Sequence, residues 1–265
     1  MASLRERYGN WALVAGAAEG IGEGFTTVLA ASGFNLILAD RNEEAMQALA
    51  LKIRRESHVE TVLIHLDLAR EDAAAQCLKE VDATGCRLMV YVAAYSKVSR
   101  FTELAPGDLD AFLSVNTATL LRMVHGFATM HTQAGKGSGI LLVSSLAGLI
   151  GPQYVAAYAA TKAFSIRLAE ALHDELKTNG IDITVCCVGT VSTPTYWKSK
   201  PNFDRMKPSF VEPAGVAAYA LNNLGRKIIA IPGLTNRLQY FFLRQMIPIR
   251  FARWLVNDAM KKMYG

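Results

Sequence analysis

Short apolar runs alternate along this chain with longer segments in which apolar residues recur every three or four positions. The runs predict buried β-strands at residues 11–15, 34–39, 59–66, 88–94, 140–143, 182–188 and 227–231. The longer segments predict helices at residues 25–32, 43–56, 72–83, 108–124 and 155–178. Regular alternation of strand and helix predicts an α/β fold, a doubly wound parallel sheet of about seven strands with helices on both faces.

Composition fits a single domain that covers residues 1–265. Hydrophobic residues make up 51% of the chain and charged residues 19%, so intrinsic disorder is not expected. The longest apolar stretch, residues 139–151, is shorter than the ~20 residues that span a bilayer, and we interpret it as a core strand and loop. The N-terminal residues lack a signal-peptide pattern, which predicts a cytoplasmic protein.

The cysteines point to no metal or disulfide chemistry. Cys77, Cys86, Cys186 and Cys187 form no Cys-x-x-Cys pair and no cluster with histidine at metal-ligand spacing. Because unpaired cysteine is among the most buried residue types, we expect four buried free thiols and no metal site.

The stretch from Ile140 to Lys162 carries the strongest chemical signal. It is typical of a buried strand, a glycine-broken loop and a helix, on which Tyr158 and Lys162 are four positions apart and share one face. A free tyrosine has a pKa near ~10, and a lysine one turn away is expected to supply part of the interaction that would lower it toward neutrality. Ser145, at the end of the strand, supplies a hydroxyl for a carbonyl oxygen. The combination indicates proton transfer in carbonyl and alcohol chemistry.

Tyr158-Ala159-Ala160-Thr161-Lys162, with Ser145 thirteen positions before the tyrosine, is similar to the Y-x-x-x-K motif of the short-chain dehydrogenase/reductase family. The resemblance covers roughly residues 9–232 and implies a Rossmann-type fold with hydride transfer between NAD(P) and a secondary alcohol or ketone. It implies that Tyr158 exchanges a proton with the substrate, which Ser145 also holds. Lys162 is expected to bind the cofactor ribose and to lower the pKa of Tyr158.

The segment Leu113-Ser114-Val115-Asn116 resembles the part of the family that carries an active-site asparagine. The implied role of Asn116 is to hold a local break in its helix and a water that connects Lys162 to solvent. An exposed or capping asparagine is the alternative. We include Asn116 with Ser145, Tyr158 and Lys162 in the predicted catalytic set.

A glycine-rich turn follows the first predicted strand and opens a helix. Glycines in this setting let the backbone turn tightly and approach a pyrophosphate at the positive end of the helix. The G-x-x-x-G-x-G spacing resembles the family's cofactor loop, with Ala15 in place of its threonine. A tight turn without a ligand is the alternative. The resemblance implies cofactor contacts at Gly16, Ala18, Glu19, Gly20, Ile21 and Gly22.

Asp40, at the end of the second strand, favours NAD over NADP. Its carboxylate can accept hydrogen bonds from ribose hydroxyls. Beside a 2′-phosphate at ~4 Å, the same carboxylate costs about 1 to 4 kcal/mol. Glu19 also favours NAD. Arg41, however, can reach a 2′-phosphate, so NADP is the alternative.

Three further segments resemble cofactor-binding parts of the family. Asp67-Leu68 is similar to a pair beside the adenine ring, although Asp67 is equally well interpreted as the N-cap of a helix that begins near residue 70. Tyr91 to Ala94 stands where the family has Asn-Asn-Ala-Gly, and the small Ala93 and Ala94 keep room for the cofactor. Val191 and Thr193 resemble the nicotinamide-binding loop, with Val188 where proline is usual.

Residues 195–213 predict either a substrate lid with apolar side chains or a plain surface loop. Beyond them the chain is basic, with eight basic residues and one acid in residues 225–265, a net charge of +7, while the remainder has −2. The basic and aromatic C-terminal extension, residues 234–265, has four interpretations: packing on the domain, an anionic membrane surface, a phosphate-bearing substrate such as an acyl-CoA, or a partner subunit. Nucleic acid is not expected.

We therefore predict an NAD(P)-dependent oxidoreductase for a secondary alcohol or ketone, with a lipid-like substrate of 3-oxoacyl or hydroxysteroid type favoured. Its partners are expected to be this small molecule and further copies of the chain, as a homodimer or homotetramer by analogy with the family. The alternative function is a nucleotide-binding regulator or scaffold with weak catalysis. Motif departures at Tyr91, Val92 and Val188 motivate this alternative.

Overall fold

The computed structural model of the chain describes residues 3–132, 137–202, 210–242 and 246–265. In the described residues, seven parallel strands form one sheet: β1 Trp11–Ala15, β2 Asn35–Asp40, β3 Thr61–His65, β4 Leu88–Tyr91, β5 Ser138–Ser145, β6 Ile181–Val188 and β7 Ile229–Ala230. The spatial order is β3-β2-β1-β4-β5-β6-β7. The predicted doubly wound α/β fold is confirmed.

Helices connect the strands and cover both faces of the sheet. Within the described part of the chain they are α1 Leu4–Tyr8, α2 Ile21–Ala31, α3 Glu43–Ser57, α4 Ala73–Thr84, α5 Pro106–Leu113, α6 Leu120–His131, α7 Ala147–Ile150, α8 Ala156–Lys177, α9 Pro194–Lys198, α10 Pro213–Asn223, α11 Leu234–Phe241 and α12 Ile249–Tyr264. None of these described helices has the length and apolar content needed to cross a membrane.

The core consists of two apolar layers, one on each face of the sheet. Successive residues of β1 alternate between them: Ala12 and Val14 pack with α2, α3 and α10, while Leu13 and Ala15 pack with α4, α6 and α8. Because both faces are covered, most strands carry runs of consecutive apolar residues and do not alternate apolar with polar ones. This explains why the apolar runs of the sequence mark them so clearly.

Two differences between predicted and observed elements lie near the strand ends of the central sheet. The helix predicted at residues 108–124 is interrupted by a π-helical turn, Ser114–Thr119, between α5 and α6. The strand predicted at residues 88–94 ends at Tyr91, because the amides of Val92 and Ala93 both donate to the carbonyl of Ala15 and turn the chain out of the sheet. Both departures lie at the carboxyl edge of the sheet.

Candidate active site

The candidate active site is a cavity of about 980 Å³ at the carboxyl ends of the central strands. The strand order reverses between β1 and β4, so the connections leave on opposite faces and open a crevice at this edge. All the predicted site residues line the cavity except Ala18 and Asn116, which lie behind its wall. The sequence motifs therefore converge on one site.

The glycine loop between β1 and α2 approaches neighbouring chain segments too closely to carry side chains. Gly16 has φ +83°, and a Cβ there would lie 2.7 Å from the backbone of Ala93. A Cβ on Gly22 would overlap the carbonyl oxygen of Gly16. Gly20 precedes α2 without a side-chain cap, and Ile21 and Gly22 of the first turn line the cavity. The positive end of α2 is therefore open to a phosphate group.

Two carboxylates and one arginine line the part of the cavity nearest β2. Asp40 accepts hydrogen bonds from the amides of Ala18 and Asn42, both at 2.9 Å. Glu19 accepts one from the Asn42 side chain at 2.7 Å. Arg41 also lines the cavity. The two acids are held in place by the turn after β2.

Asp67 and Leu68 line the same part of the cavity, with Ala93 and Ala94 beside them. Asp67 accepts a hydrogen bond from the amide of Ala69 at 2.9 Å. The interpretation of Asp67 as a helix N-cap is wrong, because α4 begins at Ala73 and has Asp72 at its N-cap position. The carboxylate of Asp67 instead closes a local turn.

The Ser145, Tyr158 and Lys162 side chains line the cavity close to one another. Ser145 is the last residue of β5, its hydroxyl oxygen accepts a hydrogen bond from the amide of Ala147 at 3.1 Å, and it lies near Tyr158 on α8. Lys162 lies one turn further along α8, with its Nζ 5.6 Å from the centroid of the Tyr158 ring. This Nζ donates to the carbonyl of Val143 at 2.9 Å. A strand end and a helix face thus bring the three together.

Burial controls the protonation of this group. It raises the pKa of Tyr158 to about 12, and the nearby Ser145 hydroxyl offsets this rise only in part. It lowers the pKa of Lys162 to about 8. In the protein alone the pKa of Tyr158 therefore lies above its ordinary value and not below it, because desolvation disfavours the charged form. The expected lowering by Lys162 stays a prediction. Tyr158 is protonated at neutral pH.

Asn116 is buried in the π-helical turn between α5 and α6. Its side-chain amide donates to the Tyr95 carbonyl at 3.0 Å and to the Thr161 hydroxyl at 2.9 Å. Its Oδ1 accepts from the Tyr95 amide at 2.7 Å. The asparagine thus ties the loop after β4 to α8, beside Tyr158. Its part in a water path to Lys162 stays a prediction.

Tyr91 takes over a bracing role where the sequence departs from the family's asparagine pair. Its side chain is buried, and its hydroxyl donates to the carbonyl of Val115 at 2.6 Å. Val115 belongs to the π-helical turn that carries Asn116. The substitution therefore retains a hydrogen bond between the central sheet and this turn.

The loop after β6 closes over the glycine loop. Thr193 lies so near Gly20 that a Cβ at position 20 would be 2.9 Å from the Thr193 methyl group. The Thr193 hydroxyl accepts from the Tyr196 amide at 3.2 Å and caps α9. Val191 forms an isolated parallel bridge with Val211. Val191 and Thr193 thus lie where a nicotinamide-binding loop is predicted.

The predicted lid, residues 195–213, is described only at its two ends, since residues 203–209 lie outside the described part of the chain. The rings of Tyr196, Trp197 and Phe210 contact one another, with centroids 5.6 to 5.7 Å apart. These contacts join the two ends of the segment. Its function as a lid stays a prediction.

Sequence reasoning missed the wall that α12 contributes to the cavity. The wall consists of apolar residues at helical spacing, Val256, Ala259, Met260 and Met263. This spacing in the sequence could have predicted a helix with one buried face. Gln153, from the loop before α8, holds the helix through two hydrogen bonds to Asn257, at 3.0 and 2.8 Å. One face of the extension is therefore packed on the domain.

The lining fits a nicotinamide dinucleotide. Crowded glycines and the end of α2 form a phosphate cradle, Asp40 and Asp67 stand at one end, and Tyr158 and Lys162 stand at the other. When bound, the cofactor supplies or accepts the hydride. The chain itself supplies a protonated phenol, a serine hydroxyl and an apolar wall, which suit a carbonyl group carried on an apolar molecule.

Comparisons with known proteins agree with this geometry. Residues 10–203 match the family model of the short chain dehydrogenases. A 7beta-hydroxysteroid dehydrogenase of Collinsella aerofaciens is 29% identical over 89% of this chain and 90% of its own. A very-long-chain 3-oxoacyl-CoA reductase of Meyerozyma guilliermondii is 28% identical over 83% of this chain and 66% of its own.

Two further comparisons bear on activity and on structure. A human protein named inactive hydroxysteroid dehydrogenase-like protein 1 is 30% identical over 98% of this chain and 80% of its own. A solved structure described under 7beta-hydroxysteroid dehydrogenase stereoselectivity is 27% identical, with a TM-score of 0.86, and covers 96% of this chain and 99% of that one. The predicted resemblance is confirmed: the chain belongs to the short chain dehydrogenase family and is an NAD(P)-dependent oxidoreductase of alcohols and ketones.

Proposed function

We propose that this enzyme interconverts a secondary alcohol and a ketone on a large apolar molecule of hydroxysteroid or 3-oxoacyl type. The observation that carries the proposal is the position of Ser145 and Tyr158 in a cavity with an apolar wall from α12. The names of the bacterial and yeast relatives support the same substrate classes. A small sugar would leave much of this apolar wall without a partner.

In the reducing direction, the carbonyl oxygen of the substrate accepts hydrogen bonds from Ser145 and Tyr158. Hydride adds to the carbonyl carbon while Tyr158 gives its proton to the oxygen, so the ketone becomes an alcohol. In the oxidising direction Tyr158 takes the proton back. Burial keeps Tyr158 protonated in the protein alone, which is the form that reduction needs.

The direct test compares Tyr158→Phe with Tyr219→Phe. Each variant loses one hydroxyl, but Tyr219 lies on α10 and its ring contacts Lys227 and Arg237 instead of the cavity. With 7-oxo steroids and 3-oxoacyl thioesters as substrates, Tyr158→Phe should lose activity by roughly 10² to 10⁴-fold, the usual contribution of a general acid. Tyr219→Phe should keep it. Equal activity in the two variants would refute the role of Tyr158.

NAD is the preferred cofactor in this proposal, with NADP as the alternative. The carboxylate of Asp40, fixed by two amides, disfavours a 2′-phosphate more than a ribose hydroxyl. Asp40→Asn removes the charge and keeps the shape. Because two charges ~4 Å apart interact by about 1 kcal/mol or more, NADPH should then bind at least about fivefold more tightly. Glu44→Gln, a matched change on the exposed first turn of α3, should alter neither affinity.

We also propose that the enzyme is a homo-oligomer and is located in the cytoplasm. Leu109, Leu113 and Leu121 are 38 to 59% exposed on α5 and α6, where they offer apolar contacts to another copy of the chain. Light scattering on the wild type should give a dimer or a tetramer. Leu113→Arg together with Leu121→Arg should give a monomer, whereas unchanged mass would assign the contact to another face.

The second candidate is a nucleotide-binding regulator with weak catalysis. The observation in its favour is the human relative named inactive, together with the departures at Tyr91 and Val188. Against it, Ser145, Tyr158 and Lys162 are all present and adjacent in the cavity. Tight nucleotide binding without turnover on any ketone or alcohol would favour the regulator.

A further inference from the structure

We propose that α11 and α12 form a docking surface for an anionic lipid bilayer, at the mouth of the cavity. This goes beyond the proposed reaction and does not depend on it. The tail surface, as we name it, consists of large apolar side chains that are 38 to 59% exposed: Leu238, Phe241, Phe242, Phe251, Trp254 and Leu255. Phe251 and Trp254 are stacked on each other, with centroids 5.5 Å apart. Exposed apolar groups on this scale indicate a binding surface.

Basic residues accompany these apolar groups. Residues 234–265 contain six basic residues and one acid, a net charge of +5 that equals the charge of the whole chain. Within the described residues, Arg250, Arg253 and Lys261 make no side-chain hydrogen bond or ion pair, while Lys262 pairs with the single acid, Asp258, at 2.6 Å. Three cations are thus left for an external anion.

The spacing along α12 puts these cations beside the aromatic pair. Positions 250, 253 and 261 fall on one strip of the helix at 100° per residue, and Phe251 and Trp254 fall next to it. Val256, Met260 and Met263 occupy the inward face. Aromatic residues next to basic ones, on a helix packed along its other side, are typical of helices that lie in a membrane interface.

Charge complementarity favours a bilayer over a second copy of this chain. A two-fold contact through the tail surface would bring its unpaired cations near the same cations of the other copy, which is unfavourable without counter-ions. An anionic leaflet offers both the negative charge and an apolar layer. Because no described helix crosses a membrane, the contact is a peripheral one.

The tail surface is continuous with the cavity. Leu238, Phe242 and Leu255 are both exposed and part of the cavity lining. They form the rim between the outer surface and the wall made by Met260 and Met263. A bilayer docked on this rim would face the cavity mouth, so an apolar substrate could pass between lipid and enzyme with little exposure to water.

The test is co-sedimentation of the full chain with vesicles of phosphatidylcholine containing phosphatidylglycerol, and with vesicles of phosphatidylcholine alone. Binding is expected to the anionic vesicles and to weaken with salt, because the Debye length falls from ~30 Å at 0.01 M to ~10 Å at 0.1 M. Arg250→Gln with Arg253→Gln should weaken binding about 30-fold, from the typical effect of one basic residue at a leaflet. Phe251→Ser with Trp254→Ser should weaken it roughly tenfold or more.

Matched controls separate the surface from general effects. Lys52→Gln with Arg55→Gln removes two charges from α3, and Leu51→Ser removes a side chain that is 53% exposed there. Both should bind vesicles as the wild type does. Tyr158→Phe should also bind normally, so a failure of the proposed reaction would not affect this result. No binding to anionic vesicles at low salt would overturn the proposal, as would an unchanged affinity in both tail variants. A fall in molecular mass of the tail variants, without loss of vesicle binding, would assign the surface to a second copy.

Discussion

At the active site, the fold destabilises the charged form of Lys162. Its ammonium is buried, and its nearest polar partner is the Val143 carbonyl, which cannot neutralise it. The pKa of Lys162 is therefore lowered to about 8. In the unfolded chain the same group keeps an ordinary pKa of 10.5. A difference of this kind links the free energy of unfolding to pH.

We expect Lys162→Met to remove a pH-dependent contribution to stability. Between pH 8 and 10.5 the unfolded chain binds more protons at Lys162 than the native protein does, so the wild type gains stability relative to the variant as pH rises. The relative gain should approach about 3 kcal/mol, at ~1.4 kcal/mol per pKa unit. Urea unfolding of both proteins without cofactor, from pH 7 to 10, measures it. The comparison cancels the buried cysteines and tyrosines except Cys187, whose raised pKa is itself lowered in part by the charge of Lys162. Parallel curves would contradict the pKa of Lys162.

Asn116→Ala should lower the free energy of unfolding by about 1 to 3 kcal/mol, because it removes the partner of the half-buried amide and carbonyl of Tyr95 and of the buried Thr161 hydroxyl. Asn179→Ala, at an exposed position after α8, should change it by less than about 0.5 kcal/mol. Urea unfolding at neutral pH compares the two variants. Similar stability of both would mean that Asn116 does not hold the loop to α8.

At the scale of elements, the strand-to-helix turn from β1 to α2 depends on close approach of backbones. The glycine loop touches the turn after β4 through Gly16 and the loop after β6 through Gly20. Three segments that are distant in sequence therefore set the shape of the cofactor cradle. A substitution in any of the three segments should therefore change the affinity for the nucleotide.

Gly22→Ala tests this packing. The added methyl group would overlap the Gly16 carbonyl, so the loop has to open, and NADH affinity should fall roughly tenfold or more as its contacts with the pyrophosphate are lost. Gly215→Ala on α10 is the control, because a Cβ there meets nothing within 4 Å. It should leave affinity unchanged and raise stability by up to about 1 kcal/mol. Fluorescence titration with NADH compares the two, and equal affinities would contradict the close approach.

On the scale of the whole molecule, helices cover both faces of the sheet and keep the core away from solvent. Cys77, Cys86, Cys186 and Cys187 are free and fully buried in the two layers of the core. Burial raises the pKa of Cys77, Cys86 and Cys187 to about 12, and that of Cys186 well above its ordinary value. The native protein thus presents neither accessible sulfur nor thiolate.

A thiol reagent should therefore report global unfolding. With a water-soluble aromatic disulfide at neutral pH, almost none of the four thiols should react in the native protein. All four should react in the denatured protein. Saturating NADH should slow the reaction further, since ligand binding lowers the unfolded population. Rapid reaction of one thiol in the native state would show that one core layer opens locally.

Local pattern alone determined the order of strands and helices, the glycine turn and the pairing of Tyr158 with Lys162. These features depend on neighbours within one turn or one strand, where apolar periodicity and glycine spacing act directly. The strand ends were less well predicted. The end of β4 is set by hydrogen bonds from Val92 and Ala93 to Ala15, which lies over seventy positions earlier.

Only the tertiary structure decided what surrounds the reacting groups. The pKa of Tyr158 depends on desolvation by segments that meet only after folding, so helical spacing to Lys162 does not by itself determine its direction. The wall from α12 depends on the hydrogen bonds between Gln153 and Asn257, more than a hundred positions apart. The same packing leaves Phe251 and Trp254 outside. Contacts between segments distant in sequence decide which apolar residues of α12 line the cavity and which are exposed. The local sequence pattern does not contain that information.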